Sequence, residues 1–88
     1  MTLSEGLNVL RLDAGNNDEL VQSLIDALPS YIELSTGMSE EQQAMEPLCK
    51  TVSGFLLQLW YFGDKADDVA LNRTIDSLLK AITLKVSR

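Results

Sequence analysis

The residues of this chain that could do chemistry are few, and their spacing does not assemble them. Histidine is absent, which removes the commonest general base and the commonest metal ligand together. Carboxylates stand side by side at Glu40-Glu41 and at Asp67-Asp68. Neighbours on a helix point about 100° apart, and both pairs lie in polar stretches, so they read as solvated faces rather than as a general acid–base pair. Cys49 is the only cysteine, so it has no partner for an internal disulfide or a thiolate metal site. It lies beside Leu48 and three residues before Val52 with no activating cation or base in view, and it reads as a small apolar filler. Asp64, Asp67 and Asp68 lack the alternating ligands and the closing Glu of a calcium loop. No glycine-rich phosphate loop follows a strand. The expectation is a protein with no catalytic residue, no cofactor and no metal.

The elements that carry these residues are helices. The 88 residues are 45% hydrophobic and 23% charged, with 5 Gly and 2 Pro. That is the composition of one small folded domain over residues 1–88, neither disordered nor fibrous. A domain of this size buries only about 60–65% of its unfolded surface, so its margin of stability is thin. No apolar run approaches the roughly 20 residues that span a bilayer. Met1-Thr2-Leu3-Ser4-Glu5 lacks the basic start and apolar stretch of a signal peptide, and a cytoplasmic setting is expected.

Thr2-Leu3-Ser4-Glu5 has the form of a capping box, opening a short helix to about Leu10 with Leu3, Leu7 and Leu10 on one face. Asp13-Ala14-Gly15-Asn16 breaks it. Asn16-Asn17-Asp18-Glu19 is a second box-like start, with acids in the first turn. Leu20, Val21, Leu24, Ile25, Leu28, Tyr31 and Ile32 then recur at helical spacing up to a cap at Gly37. Pro29 sits inside this helix and predicts a kink near Ile25–Leu28. Ser39-Glu40-Glu41-Gln42 starts a turn or two of helix to about Met45. Pro47 is placed to be the first residue of a third long helix with Leu48, Val52, Phe55, Leu56, Leu59, Trp60 and Phe62, closed by Gly63. Residues 64–73 read as loop or extended arm. Thr74 reads as the cap of a last helix with Ile75, Leu78, Leu79 and Ile82 inward, and the pattern of residues 83–88 leaves helix and extended chain both open. The expected fold class is all-α, a small bundle of about four helices.

Within that bundle Leu24, Tyr31, Val52, Leu56 and Trp60 are the expected core. Trp60, Tyr61 and Phe62 are consecutive and fan over about 200° of a helix. One face cannot bury all three, which leaves Tyr61 or Phe62 for a partner subunit. Charge divides along the chain. Residues 1–46 carry nine acids against Arg11 alone, and residues 47–88 carry four acids against six bases, within a net charge of −6. An acidic chain does not hold nucleic acid through its bulk field. It does suit an acidic half meeting the mildly basic half of another copy, with Arg11 as a candidate subunit contact beside Tyr61 and Phe62; a role in solubility alone is the other reading.

Asp76-Ser77-Leu78 matches the Asp-Ser-Leu core at which small acidic carrier proteins attach phosphopantetheine. That serine lies near mid-chain at the start of a helix in carriers, whereas Ser77 lies inside a predicted helix with 11 residues after it. A broader pattern covers nearly the whole chain in order: Leu10-Arg11-Leu12-Asp13, an Asn/Asp-rich turn, Glu19 to Ala27, Tyr31-Ile32-Glu33, Thr36-Gly37, Pro47-Leu48-Cys49-Lys50, Trp60-Tyr61 and the Leu-Leu pair within Ile75 to Lys80. In this the chain resembles the head–tail connector (adaptor) family of tailed bacteriophages and their prophages, often described as phage DNA-packaging proteins. It differs at Pro29, where the family keeps a helix former. It differs also after the Leu-Leu pair, where Ile82-Thr83-Leu84-Lys85 replaces an aromatic-basic tail.

The resemblance implies a structural virion protein without catalysis. Such subunits form a homo-oligomeric ring between the portal protein of a filled head and the tail-completion protein, assembled in the host cytoplasm and retained in the virion. DNA would pass through the ring without specific binding, and no membrane is involved. An acid-lined channel repels phosphate and lets DNA slide, and the surplus acids of residues 1–46 would supply that lining. The alternative from another class is a small acidic helical adaptor or regulator that binds a protein partner through the aromatic patch.

Overall fold

The computed structural model describes residues 1–15, 17–63 and 68–86. Among these the chain forms five helices and no strand: α1 (Leu3–Leu10), α2 (Asp18–Thr36), α3 (Glu40–Gln43), α4 (Pro47–Phe62) and α5 (Asp68–Val86). Four of them run to eight residues or more, and the class is all-α. The three long helices, α2, α4 and α5, pack on one another in pairs, and α1 lies against α2 and α4.

The boundaries follow local chemistry. At α1 the capping box is complete: the Thr2 hydroxyl accepts from the Glu5 amide, and the Glu5 carboxylate accepts from the Thr2 amide. Ser39 and Gln42 repeat the box at α3. Pro47 is the first residue of α4, and the Glu46 carboxylate accepts from the Leu48 amide. Gly37 ends α2 with φ 82°, a left-handed turn that only glycine enters without strain. The end of α1 has the same geometry with a different residue. Arg11 stands at φ 58°, its amide donates to the Asn8 carbonyl, and the Leu12 amide donates to the Leu7 carbonyl. This is a Schellman closure with arginine in the glycine position.

Several expectations are corrected. The start of α2 is not a capping box. Asn17 takes a left-handed backbone (φ 60°) and its side chain makes no cap bond. The Asp18 carboxylate accepts instead from the Gly15 amide, bracing the turn before the helix. The helix of α3 ends at Gln43 rather than Met45. Residues 68–73, expected as loop, are helical, and Thr74 lies inside α5 with its hydroxyl donating to the Ala70 carbonyl rather than capping a start. Residues 83–86 continue the helix. Asn16, residues 64–67 and residues 87–88 lie outside the described residues, and with them the Asp64/Asp67/Asp68 reading, the Asp67-Asp68 pair and part of the expected arm. Pro29 sits inside α2, which runs through it to Thr36.

The core has two parts. The larger holds Leu28 and Ile32 of α2, Met38, Cys49, Val52 and Leu56 of α4 and its start, and Ile75 and Ile82 of α5. The smaller holds Leu7 and Leu10 of α1, Val21 and Ile25 of α2, and Leu57 of α4. Of the five expected core residues, Val52 and Leu56 are fully buried. Leu24 and Trp60 are half-buried and pack on the rims of the two clusters. Tyr31 is a correction: it is 39% exposed. It lies beside the inward strip of α2, formed by Val21, Ile25, Leu28 and Ile32, and turns outward over its edge. Trp60 is displaced to the rim because α4 buries its first three turns most deeply and its last turn reaches the end of the bundle.

Candidate interaction surface

The aromatic end of α4 grips α2 at two distant points. Trp60 meets Tyr31 edge to face with ring centroids 5.4 Å apart. The next residue reaches the other way, and the Tyr61 hydroxyl accepts a hydrogen bond from Asn17 Nδ2 at 2.9 Å. Phe62 stacks edge-on against Tyr61 at 5.2 Å and remains exposed. Of the three expected interface residues, Tyr61 is therefore half-buried and engaged within its own chain, while Phe62 and Arg11 face solvent. They are not brought into one patch by any contact described between Arg11 and the two aromatics.

The outer side of α2 is a second surface, which the sequence reading did not single out. Leu20, Ala27 and Leu34 recur every seventh residue along it with Ser23, Ser30 and Tyr31 between them, and all are exposed. At 100° per residue these positions, with Leu24 and Ser35 at one edge, cover an arc of roughly 140° that holds no charge. The helix acids Glu19, Asp26 and Glu33, also seven apart, line one flank of that arc. Leu34 is 88% exposed. The signal was in the sequence as a second periodic stripe, masked by the stronger inward one.

The carboxylates have structural work. Hydrogen bonding by Thr2, chiefly its backbone N–H, holds the Glu5 carboxyl below its ordinary value, with Lys50 3.9 Å away adding a smaller pull. The Lys85 ammonium, followed by the Leu48 amide, does the same for Glu46. A carboxyl held ionised in this way does not serve as a proton donor at neutral pH. Both groups line an open groove of about 780 Å³ between α1, α2, α3 and α4, with Glu40 and Lys50 at its sides and Cys49 at its floor. Cys49 is buried, its thiol donates toward the Met38 sulfur at 3.5 Å, and burial with the nearby Glu46 charge pushes its pKa up. A raised thiol pKa is the reverse of what activates a nucleophile. Ser77, of the Asp-Ser-Leu triplet, is exposed in the interior of α5. Among the described residues no group of three or more His, Cys, Asp or Glu could hold a metal ion. No helix among them is long and apolar enough to cross a membrane.

No family model, curated protein or solved structure matches this chain.

Proposed function

We propose that this protein is a structural subunit of a tailed-phage connector, a homo-oligomeric ring seated between the portal and the tail-completion protein through which DNA passes. The observation that carries the reading is the outward apolar surface of the two longest helices. Leu34 on α2 and Val69 and Leu84 on α5 are 88%, 66% and 62% exposed, each away from the side on which its helix packs. On α2 the exposed Leu20, Ala27 and Leu34 form a strip free of charge, and such a strip on a small bundle marks a place where another protein sits. The ordered resemblance to the connector family supplies the kind of assembly. Its landmarks fall at helix ends: Arg11 at the close of α1, Thr36-Gly37 at the close of α2, Pro47 at the first residue of α4 and Trp60-Tyr61 in its last turn.

The role is mechanical rather than catalytic. Exposed acids such as Glu40 and Glu41 repel the phosphate backbone from a channel wall, so DNA slides instead of binding. The protein would act in the host cytoplasm during assembly and remain in the virion. The test is electron microscopy and co-sedimentation of the purified chain with DNA-filled, portal-bearing, tailless heads. Density at the portal vertex is expected. A chain that stays unbound while those heads still accept tails is not a connector. Exposed Phe62, braced on Tyr61, favours the second reading, a monomeric adaptor binding one partner through that aromatic end. That reading requires Phe62→Ala to abolish partner binding in a protein that never self-associates.

A further inference from the structure

We propose that the uncharged outer face of α2 is covered by the outer face of α5 from a second copy of this chain, in a head-to-tail contact. This names the contact between subunits that the ring reading requires and rests on that reading for its role in a virion. On α5, Val69, Arg73, Lys80 and Leu84 fall within about 60° of arc. That arc lies opposite the buried Ile75 and Ile82, and all four residues are exposed. The face is therefore apolar at its two ends and basic between them.

The two faces match in charge and in spacing. Arg73 and Lys80 are seven residues apart, as are Asp26 and Glu33 on the flank of the α2 face. Seven residues of helix rise about 10.5 Å, so both bases can meet both acids at once where the two helices run nearly parallel or nearly antiparallel. Leu34 and Leu20 then lie in line to receive Val69 or Leu84. Flanking charges beside an apolar seam are the device by which packed helices choose partners and register. None of these four charges forms an ion pair among the described residues; Asp26 accepts one hydrogen bond, from Gln22 on its own helix. The match cannot be satisfied within one molecule, because each face points away from the side on which α2 and α5 pack together. Asp76 stands between the two bases on α5 and pairs with neither among the described residues, so a second copy brings the acids at the matching spacing. The contact joins two different surfaces, so it is heterologous and repeats from copy to copy, closing into a ring where the rotation permits.

The test is a charge swap read by sedimentation velocity and light scattering at low salt, up to the solubility limit. One variant carries Asp26→Lys with Glu33→Lys, and the other carries Arg73→Glu with Lys80→Glu. Each variant alone should lose association by at least about tenfold against the wild type, because like charges now face each other. An equal mixture should regain it, as should a chain carrying all four substitutions, and salt should weaken each recovered complex. Recovery on mixing also shows that both variants are folded. Leu34→Ala should weaken association with the charges intact. A wild-type chain that is monomeric throughout overturns the proposal. So does an assembly indifferent to the Arg73/Lys80 reversal, including a simple dimer through two α2 faces. The head-binding test above stands apart: a chain that assembles in this way but ignores portal-bearing heads refutes the connector and leaves the contact in place.

Discussion

Tyr31 and Trp60 meet edge to face at 5.4 Å with their planes at right angles, joining the outer edge of α2 to the last turn of α4. Because both rings stay partly open to solvent, Trp60→Ala should cost about 2–3 kcal/mol, less than the roughly 3–5 kcal/mol of a fully buried tryptophan. Leu56→Ala, at the centre of the larger cluster, should cost as much or more. Tyr31→Phe keeps the ring contact and should leave stability unchanged. Urea denaturation of the three variants checks the order. A Trp60 variant that fails to fold would place the indole in the core after all.

Gly6 lies where α1 touches α2 and α4. A Cβ there would stand 2.5 Å from Ile25 Cδ1 and 3.3 Å from Leu57 Cδ2. Both neighbours are buried and confined by each other, so neither can swing aside freely. Overpacking of this kind costs about 1–3 kcal/mol, against a helix-propensity gain of about 1 kcal/mol. Gly6→Ala should therefore destabilise by about 1 kcal/mol. Gly54, inside α4, meets only Val9 Cγ1 at 3.9 Å. Gly54→Ala should stabilise by about 0.5–1 kcal/mol. Thermal melts of opposite sign are the expected result, and two shifts of the same sign would contradict the packing described.

Arg11 holds the left-handed position of a Schellman turn, a conformation that costs an L residue roughly 1–2 kcal/mol. Arg11→Gly should raise stability by about 1 kcal/mol, measured by denaturant midpoint at unchanged slope. It also removes the only positive side chain of residues 1–46. A variant that melts higher yet assembles less well would assign the side chain to contacts between copies. Unaltered assembly would leave Arg11 no part in them.

Acid should loosen the protein through Glu5 and Glu46. Both have folded pKa values below the ordinary 4.5, so they bind protons less readily folded than unfolded. The stability they contribute is complete above 4.5 and is lost as the pH falls through the lower folded values. The unfolding midpoint should accordingly decline on acidification below 4.5. Glu46→Gln should lower stability at neutral pH and make the acid decline shallower, since Lys85 loses its charged partner. A decline identical in slope to the wild type would show that Glu46 is unlinked to folding.

The helix ends were legible because their signals are local. Thr2 with Glu5, Ser39 with Gln42, Gly37 and Pro47 act through bonds spanning two to five residues, and the inward stripes of α1, α2 and α4 follow from spacing alone. What sequence could not carry was the depth of burial at long range. Tyr31 satisfies the same periodicity as Ile32 but lies just past the edge of the packed strip. Leu57 was passed over because α4 buries two sides, with consecutive Leu56 and Leu57 serving different clusters. Asn17 stands at the cap position of α2, yet its side-chain amide goes to Tyr61, 44 positions away. The start of α5 was hidden because residues 68–73 hold only Val69 and Leu71 as large apolar side chains and Thr74 offered a later cap by type.

The division of the core bears on how the protein yields under load. No buried residue of α1 belongs to the cluster that holds α5, and none of α5 belongs to the cluster that holds α1. Among the described residues, α2 and α4 are the helices that contribute buried side chains to both clusters. Freeing α1 gives up Leu7 and Leu10 but leaves Ile75 and Ile82 seated, and freeing α5 does the reverse. Amide hydrogen exchange would register these as two separate openings with their own rates. In the ring proposed above, a subunit held by neighbours on both sides would slacken at one end without releasing its hold at the other.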